Sequence, residues 1–363
     1  MHNKVCLLGD AQSPHVIKWA KYFHDSGHDV TVLSLRKGNV LGISVFDLNP
    51  PKILSKFGYL LSSFKVRRLV RQIRPDILHA SHASSYGFLG AFSGFHPLVI
   101  SVWGSDVLTF PKKSIFHKLL LTWSLSKADL ITATSKFLAR NTRSLSPKVL
   151  KKIEVVPFGV DLEVFNPSRL KIRKTERDTL KIGFFKHLKP KYGPEYLVRA
   201  FKKVSDKFGN VELFLAGNGE LKSKLKDLTE SFGISPKVHF LGFVNNVPKI
   251  MSSMDITVMP SVDDSETFGV AAVESQALEV PVVASRIGGV PEVVKDGETG
   301  ILVKACDEEE LFAAITRLLS DEDIRLRMGR AGRKFVRESY NWKENASKMG
   351  RFYKKLMISY NIQ

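Results

Sequence analysis

Two glutamates, Glu266 and Glu274, lie on either side of Gly269, where an apolar helical pattern begins. The first turn of a helix presents unpaired N–H groups that bind anions, and carboxylates accept hydrogen bonds from hydroxyls. A site that binds both an anion and hydroxyl groups is suited to a phosphorylated sugar. The alternative is a structural role, in which Glu266 caps the helix and Glu274 is a solvated helix residue.

A basic loop follows the first strand predicted for the second half of the chain and contains Lys186 and Lys191. Ammonium groups at the end of a strand can neutralise a diphosphate, including one that leaves with developing negative charge. A solvated basic loop is the alternative. A third loop contains Gly288 and Gly289, and glycine allows the backbone to approach a ligand closely.

These loops belong to the second of two series in which predicted strands alternate with helical segments. The strands of the first series are predicted at residues 4–8, 29–35, 76–80, 98–103, 129–134 and 153–157. The strands of the second series are predicted at residues 180–185, 211–216, 238–241, 256–260, 282–285 and 300–303. The helices of the second series are predicted at residues 195–207, 220–232, 269–278, 308–319 and 321–337. This alternation is typical of parallel sheets with right-handed crossovers.

The predicted fold class is therefore α/β, with two doubly wound, Rossmann-like units in tandem. Ligands of such sheets bind beyond the carboxyl ends of the strands, so two units that face each other are expected to form one interdomain cleft. The segment 166–178 is polar and charged and lacks a sustained apolar period. We predict that it is the linker between the units.

Length and composition exclude several classes of protein. The chain has 363 residues, of which 44% are hydrophobic and 25% charged, which permits a large core and excludes a disordered, collagenous or disulfide-stapled chain. The two cysteines, Cys6 and Cys306, form neither a disulfide framework nor a zinc-ligand spacing. No apolar stretch approaches the roughly 18 residues of a membrane span, and the run 5–8 is too short for a secretory signal. A cytoplasmic location is expected.

The net charge of +19 predicts attraction to a polyanion, such as nucleic acid, an anionic membrane or a phosphorylated substrate. Residues 1–170 contain 23 Lys and Arg against 10 Asp and Glu, so most of the excess lies in the first half. Two segments there, 56–71 and 112–123, combine bulky apolar and basic residues. They fit amphipathic helices packed on the sheet or helices on an anionic membrane, and the charge excess favours the membrane. Nucleic acid is not expected, because zinc-finger spacings, aromatic RNA-binding signatures and basic low-complexity tails are absent from the sequence.

The chain resembles, over nearly its whole length, the family 4 retaining glycosyltransferases of the GT-B fold. The most specific match is the pair Glu266 and Glu274 with Phe268-Gly269 between them. Further matches in the family's order are VVPFGVDLEVFNP at 155–167, LAGNG at 215–219, PVVAS at 281–285, GGVPE at 288–292 and DGETGILV at 296–303. The resemblance implies an acceptor-binding domain at residues 1–168, a donor-binding domain at 169–341, and a final helix at about 342–363 that crosses back to the first domain.

The resemblance also implies roles at the donor site. Glu266 would hold hydroxyls of the donor sugar, and Glu274 the ribose hydroxyls of the nucleotide. Lys191 matches the family's diphosphate lysine, and Lys186 occupies the usual arginine position, which keeps the charge and loses the bidentate geometry. The backbone amides of Phe268, Gly269 and Val270 would face the sugar and phosphates, and Gly288 and Gly289 would allow close backbone approach. Phe243 and Val244 would border the nucleotide base.

The first domain departs from the family's pattern on its acceptor side. The usual glycine-rich turn after the first strand is replaced by a turn that contains Ser13 and His15. The usual histidine before a glycine is replaced by Trp103, which can stack on a sugar face. His82 and Asp106 are further acceptor-side candidates. The resemblance implies front-face attack assisted by the leaving diphosphate, so no protein base is assigned.

Two patterns raise the question of a metal ion. His79 and His82 lie with two residues between them, and Asp263 is followed by Asp264. We identify no further ligands for the histidines, and the lysines already supply positive charge for a diphosphate. We therefore predict no metal site and no cofactor.

The predicted activity is retaining transfer of a hexose or N-acetylhexosamine from a nucleotide diphosphate sugar, with a UDP-sugar favoured and GDP-mannose next. The predicted acceptor is lipid-linked or a glycan, in the synthesis of a surface polysaccharide or glycolipid at the inner face of the cell membrane. A soluble small-molecule acceptor is the first alternative. A basic nucleic-acid-binding protein is a more distant one.

Overall fold

The computed structural model describes residues 3–48, 58–145, 152–170 and 179–361. The chain forms two units, one of Met1–Pro157 with Glu344–Gln363 and one of Phe158–Lys343. Each unit has its own parallel sheet and its own buried core. Of the predicted linker, residues 171–178 lie outside the described residues.

The first unit is built on a parallel sheet. The strands in its described part are β1 (Lys4–Leu8), β2 (Asp29–Ser34), β3 (Ser44–Asp47), β4 (Ile77–Ser81), β5 (Leu98–Val102), β6 (Leu130–Ala133) and β7 (Ile153–Val155). The sheet order is β3-β2-β1-β4-β5-β6-β7. The helices are α1 (Pro14–Asp25), α2 (Gly58–Ile73), α3 (Gly87–Ser93), α4 (Ser105–Leu108), α5 (Ile115–Lys127) and α6 (Lys136–Arg143).

Continuous apolar runs form the centre of this sheet. Every residue of β4 and β5 is buried, as expected for parallel strands that are covered on both faces. The edge strand β3 is absent from the predicted strands. Its residues alternate between exposed and half-buried, so the segment lacks the apolar run that marks the central strands.

The second unit repeats the architecture. The short helix α7 (Pro167–Leu170) precedes its first strand, and the short helices α10 (Val247–Met251) and α12 (Val290–Val293) lie between its main elements. The strands are β8 (Leu180–Phe185), β9 (Val211–Ala216), β10 (Val238–Gly242), β11 (Ile256–Met259), β12 (Val282–Ser285) and β13 (Gly300–Val303). The main helices are α8 (Pro194–Lys207), α9 (Lys222–Ser231), α11 (Val270–Ala277), α13 (Glu308–Ser320) and α14 (Glu322–Ser339).

The strand orders mark the places at which doubly wound sheets usually bind ligands. The second sheet has the order β10-β9-β8-β11-β12-β13, so the chain changes direction across the sheet between β8 and β11. The same change occurs between β1 and β4 in the first sheet. Crevices at the carboxyl ends of such strand pairs are the usual ligand sites of doubly wound sheets. The prediction of two doubly wound α/β units is confirmed.

The last helix, α15 (Trp342–Asn361), returns the chain to the first unit at Glu344. Its inner face is buried at Ala346, Met349 and Tyr353, and the Tyr353 ring stacks on Phe23 of α1 with a centroid distance of 4.9 Å. Across the described ranges, we find no helix with both the length and the apolar content to cross a membrane.

Candidate functional site

The loops after β8 and β11 bring a lysine and a glutamate together. Lys186 follows β8 directly, and its Nζ lies 2.7 Å from Oε2 of Glu266 in the loop after β11. The two side chains are only 17% and 9% exposed, so each charge depends on the other for compensation. The structure therefore holds the glutamate in one orientation at the end of the strands.

The other oxygen of the same carboxylate caps helix α11. Oε1 of Glu266 accepts a hydrogen bond of 3.0 Å from the backbone N–H of Gly269, the residue before the helix. Gly269 has φ +91°, a conformation that favours glycine. The capping role that we weighed as the structural alternative is thus present together with the ion pair, and the Gly269 amide is engaged by Glu266. Glu274 lies in the second turn of α11 and is half-buried.

The glycines of the third loop pack on the glutamate loop. Gly289 N–H donates to the carbonyl of Glu266 over 3.0 Å, and Gly288 N–H donates to Oδ1 of Asp264 over 2.8 Å. A Cβ on Gly289 would lie 1.9 Å from the carbonyl oxygen of Thr267. The backbone at Gly289 therefore passes very close to another backbone segment. That segment is the loop that carries Glu266.

We expect Gly289→Ala to destabilise the second unit by about 1–3 kcal/mol, because the new Cβ would overlap a backbone carbonyl that cannot rotate away. Urea unfolding measures this difference. Gly209→Ala is the matched control, since a Cβ at Gly209 has no atom within 4 Å and should change stability by less than about 0.5 kcal/mol. Equal stability of the two variants would contradict the packing argument.

The ammonium groups of Lys191 and Lys186 both lie near the ring of Tyr192. Lys191 is exposed on a single 3-10 turn, Pro190–Tyr192, and its backbone carbonyl accepts from Val262 N–H over 3.0 Å. The ring centroid of Tyr192 is 4.8 Å from Lys191 Nζ and 5.1 Å from Lys186 Nζ. Both ammonium groups are within the distance of a cation–π contact with this ring. Sequence reasoning missed Tyr192, whose only signal is its place between Lys191 and a glycine.

The other donor-side candidates differ in exposure. The Phe268 side chain is buried against Phe158 and Tyr340, so only its backbone can contact a ligand. Phe243 lies just beyond β10 and is 78% exposed. Val244 beside it is half-buried, as is Val270. An exposed aromatic ring next to a strand end can stack on a planar group.

Asp106 in the first unit is a buried anchor. It has no exposed surface and accepts hydrogen bonds from the backbone N–H groups of Ala83, Trp103 and Gly104 at 2.8–3.1 Å. These contacts tie the end of β4 to the end of β5. Asp106 thus positions its neighbours and does not reach an acceptor itself.

The remaining acceptor-side candidates lie at the carboxyl ends of β1, β4 and β5. His15, in the first turn of α1, contacts the ring of Trp103 edge-on at 5.7 Å, and Ser13 directly precedes that helix. His82 has φ +76° and begins a single π-helical turn, His82–Tyr86. Its ring nitrogens lie within 3.2 Å of the hydroxyls of Ser84, Ser85 and Ser105; these serines fix its orientation.

His79 and His82 do not form a pair. His79 is buried inside the sheet, hydrogen-bonded through Nδ1 to the Tyr353 hydroxyl and through Nε2 to Ser101 Oγ. Burial lowers the pKa of His79 to about 3. Within the described residues, no three His, Cys, Asp or Glu side chains are grouped as metal ligands.

The buried His79 predicts a pH dependence of stability. Its folded-state pKa is far below the value of about 6.5 expected in the unfolded chain, so acid favours unfolding below pH 6.5. Stability should fall by up to about 1.4 kcal/mol per pH unit from this residue alone. Urea unfolding followed by tryptophan fluorescence reports the first unit, which contains three of the four tryptophans. His79→Gln should flatten the slope between pH 7 and 5.5, whereas exposed His24→Gln should leave it unchanged. A slope unaffected by His79→Gln would refute the assignment.

Comparison with known proteins relates both halves of the chain to glycosyltransferase families. Residues 168–335 match the glycosyl transferases group 1, and residues 4–135 match the glycosyl transferase 4-like family. An uncharacterized glycosyltransferase of Methanocaldococcus jannaschii is 27% identical over 356 residues, which cover 91% of this chain and 90% of that protein. N-acetyl-alpha-D-glucosaminyl L-malate synthase of Bacillus anthracis is 26% identical over 301 residues, with 80% and 77% covered.

A solved structure gives the fold independently. HepE of Anabaena, in complex with UDP-glucose, has a TM-score of 0.83 at 21% identity and covers 98% of this chain and 100% of its own. This likeness and the two sheet orders confirm the predicted GT-B fold. The family matches confirm the predicted enzyme class, a glycosyltransferase. The chain is a glycosyltransferase whose residues 168–335 match the group 1 family and whose residues 4–135 match the glycosyl transferase 4-like family.

Proposed function

We propose that the chain is a retaining glycosyltransferase that moves a hexose or N-acetylhexosamine from a nucleotide diphosphate sugar. The observation that carries the proposal is the Lys186–Glu266 ion pair, which lies at the carboxyl ends of β8 and β11 and beside the start of α11. A carboxylate that accepts sugar hydroxyls and ammonium groups that neutralise a diphosphate are the two requirements of such a donor.

Each side chain has a defined part in the proposal. The Glu266 oxygens accept one hydrogen bond each within the protein and keep lone pairs for donor hydroxyls. Lys186 and Lys191 stabilise the leaving diphosphate, and the amides of Phe268 and Val270 face the sugar and phosphates. Glu274 receives the ribose. The exposed Phe243 and its neighbour Val244 border the base.

The proposed reaction needs no protein base. The acceptor oxygen forms a bond to the anomeric carbon on the face from which the diphosphate leaves, and the acceptor's proton passes to a diphosphate oxygen. The protein then contributes positioning and stabilisation of the leaving charge. Because two ammonium groups supply that charge, the proposal includes neither a metal ion nor a cofactor.

The donor proposed first is a UDP-sugar, with GDP-mannose next. The Anabaena neighbour was solved with UDP-glucose, and the name of the Bacillus anthracis relative gives an N-acetylglucosaminyl group. These names support a hexose or N-acetylhexosamine.

The acceptor proposed first is lipid-linked or a glycan, in the synthesis of a surface polysaccharide or glycolipid at the cytoplasmic face of the cell membrane. The basic, partly apolar surface of the first unit supports it. A soluble acceptor is the second candidate, supported by the Bacillus anthracis relative, whose name gives the small dicarboxylate L-malate. Nucleic acid is not a proposed partner.

A thermal-shift and hydrolysis screen against UDP-, GDP- and ADP-sugars, with and without EDTA, tests the proposal. We expect stabilisation and slow hydrolysis with one nucleotide sugar and no effect of EDTA. NMR of the product then reports whether the anomeric configuration is retained. No stabilisation by any donor would reject the donor site, and loss of turnover in EDTA would reject the metal-free mechanism.

A further inference from the structure

Large apolar side chains are exposed on two helices of the first unit. Four of them on α5 and two on α2 have between 38% and 78% of their surface exposed: Ile115, Phe116, Leu119, Trp123, Leu61 and Phe64. Phe116 is the most exposed of these at 78%. Scattered apolar residues are common on protein surfaces, but a contiguous patch of this kind marks a binding surface.

The third helix of this region, α3, joins the two sets into one surface. Phe64 of α2 contacts Phe92 edge-on at 5.3 Å, and Phe92 lies 6.1 Å from Phe88 on the same helix. Phe88 in turn contacts Trp123 of α5 at 5.6 Å. The chain of aromatic contacts makes the exposed side chains of α2 and α5 a single patch, which we call the α2–α5 face.

The two outer helices of the α2–α5 face contain basic residues and no acidic one. Between residues 48 and 128 the sequence contains only two acidic residues, Asp76 and Asp106, and Asp106 is completely buried. The exposed Arg68 and Arg71 follow Phe64 at helical spacing, and exposed Lys113 and Lys118 flank Phe116. The face therefore has an apolar centre with a cationic border. Lys56 and Phe57, which belong to the predicted segment, lie outside the described residues.

We propose that the α2–α5 face docks the enzyme on an anionic lipid bilayer. The apolar side chains enter the boundary between headgroups and acyl chains, while the arginines and lysines remain at the level of the lipid phosphates. Charge complementarity selects this occupant, because a second copy would place two cationic borders against each other. The inference rests on the proposed function in one respect, since a lipid-linked acceptor is reached from the membrane surface.

Co-sedimentation of the full chain with vesicles tests the inference. One set of vesicles is phosphatidylcholine alone, and the other contains about one-third phosphatidylglycerol. We expect binding to the anionic vesicles that weakens with salt, and little binding to the neutral ones. Lys113→Glu/Lys118→Glu should lower binding at least tenfold, since one basic residue contributes about fivefold near an anionic surface. Phe116→Ser/Leu119→Ser should lower it by a similar factor.

The matched control is Lys207→Glu/Lys334→Glu, which changes the same number of exposed lysines in the second unit and should bind within about twofold of the wild type. The inference is overturned if the wild type stays in the supernatant, if the control variant loses binding equally, or if the face variants instead abolish a dimer or a complex with an acidic protein. Hydrolysis of the nucleotide sugar is measured on the same samples. Hydrolysis without vesicle binding would reject only the proposed docking surface, whereas vesicle binding without hydrolysis would reject only the proposed function.

Discussion

Glu266→Gln is expected to lower kcat for sugar transfer about a hundredfold or more while the protein keeps its fold. Hydrogen bonds to a charged group contribute about 1.5–3 kcal/mol each, and the proposed role gives the carboxylate donor hydroxyls to hold. The amide also loses the charge that pairs with Lys186 and has only one acceptor oxygen for the Gly269 amide and the substrate together. Steady-state kinetics with the donor identified in the screen measures the loss.

Two further variants are needed to interpret this result. Glu266→Ala should nearly abolish transfer, and urea unfolding of both variants separates loss of the site from loss of the fold. Glu230→Gln removes an exposed carboxylate of the same unit and should keep the wild-type kcat. A fully active Glu266→Ala enzyme would show that the donor site lies elsewhere.

The sequence predicts the fold where apolar runs are continuous. The central strands β4 and β5 are buried along their whole length, and such runs are recognisable without any knowledge of their neighbours. The edge strand β3 is missed because its two apolar residues, Val45 and Phe46, remain partly exposed and form no run. What identifies it as a strand is its pairing with β2, which a local pattern does not contain.

The site is only partly predictable, for a related reason. Types and spacing mark Glu266 and Lys186 as candidates, but their 2.7 Å contact joins residues 80 positions apart and depends on two loop conformations. Gly193, for example, has φ +66° and lies so close to Pro260 that a Cβ would be 1.9 Å from its carbonyl oxygen. Asp106 is the converse case, because its type and position suggest a site residue but the structure gives it an internal role. An aspartate beside a strand end suggests ligand contact, whereas here three backbone N–H groups satisfy it inside the protein.

Lys191→Ala is expected to lower kcat about a hundredfold with almost no change in stability. Removing one preorganised donor from a group that stabilises developing charge costs about 10²–10³ in rate. Lys191 is exposed, and its side-chain contact is with the Tyr192 ring, so truncation leaves no buried charge behind. The free energy of unfolding should change by less than about 0.5 kcal/mol. Lys207→Ala, an exposed lysine on α8, is the control for both measurements.

Lys186→Ala should reduce kcat by a similar factor and should also destabilise the second unit, by about 1–3 kcal/mol. The reason is that the Glu266 carboxylate, 9% exposed, would then lack its ammonium partner, and an uncompensated charge at partial burial is costly. Lys186→Arg keeps the charge and should recover most of the stability. The comparison of Lys186→Ala with Lys191→Ala is therefore informative. Equal losses of kcat with unequal losses of stability indicate that both lysines bind the diphosphate and that Lys186 also supports Glu266. A Lys191→Ala enzyme with wild-type kcat would leave Lys186 as the sole lysine at the diphosphate.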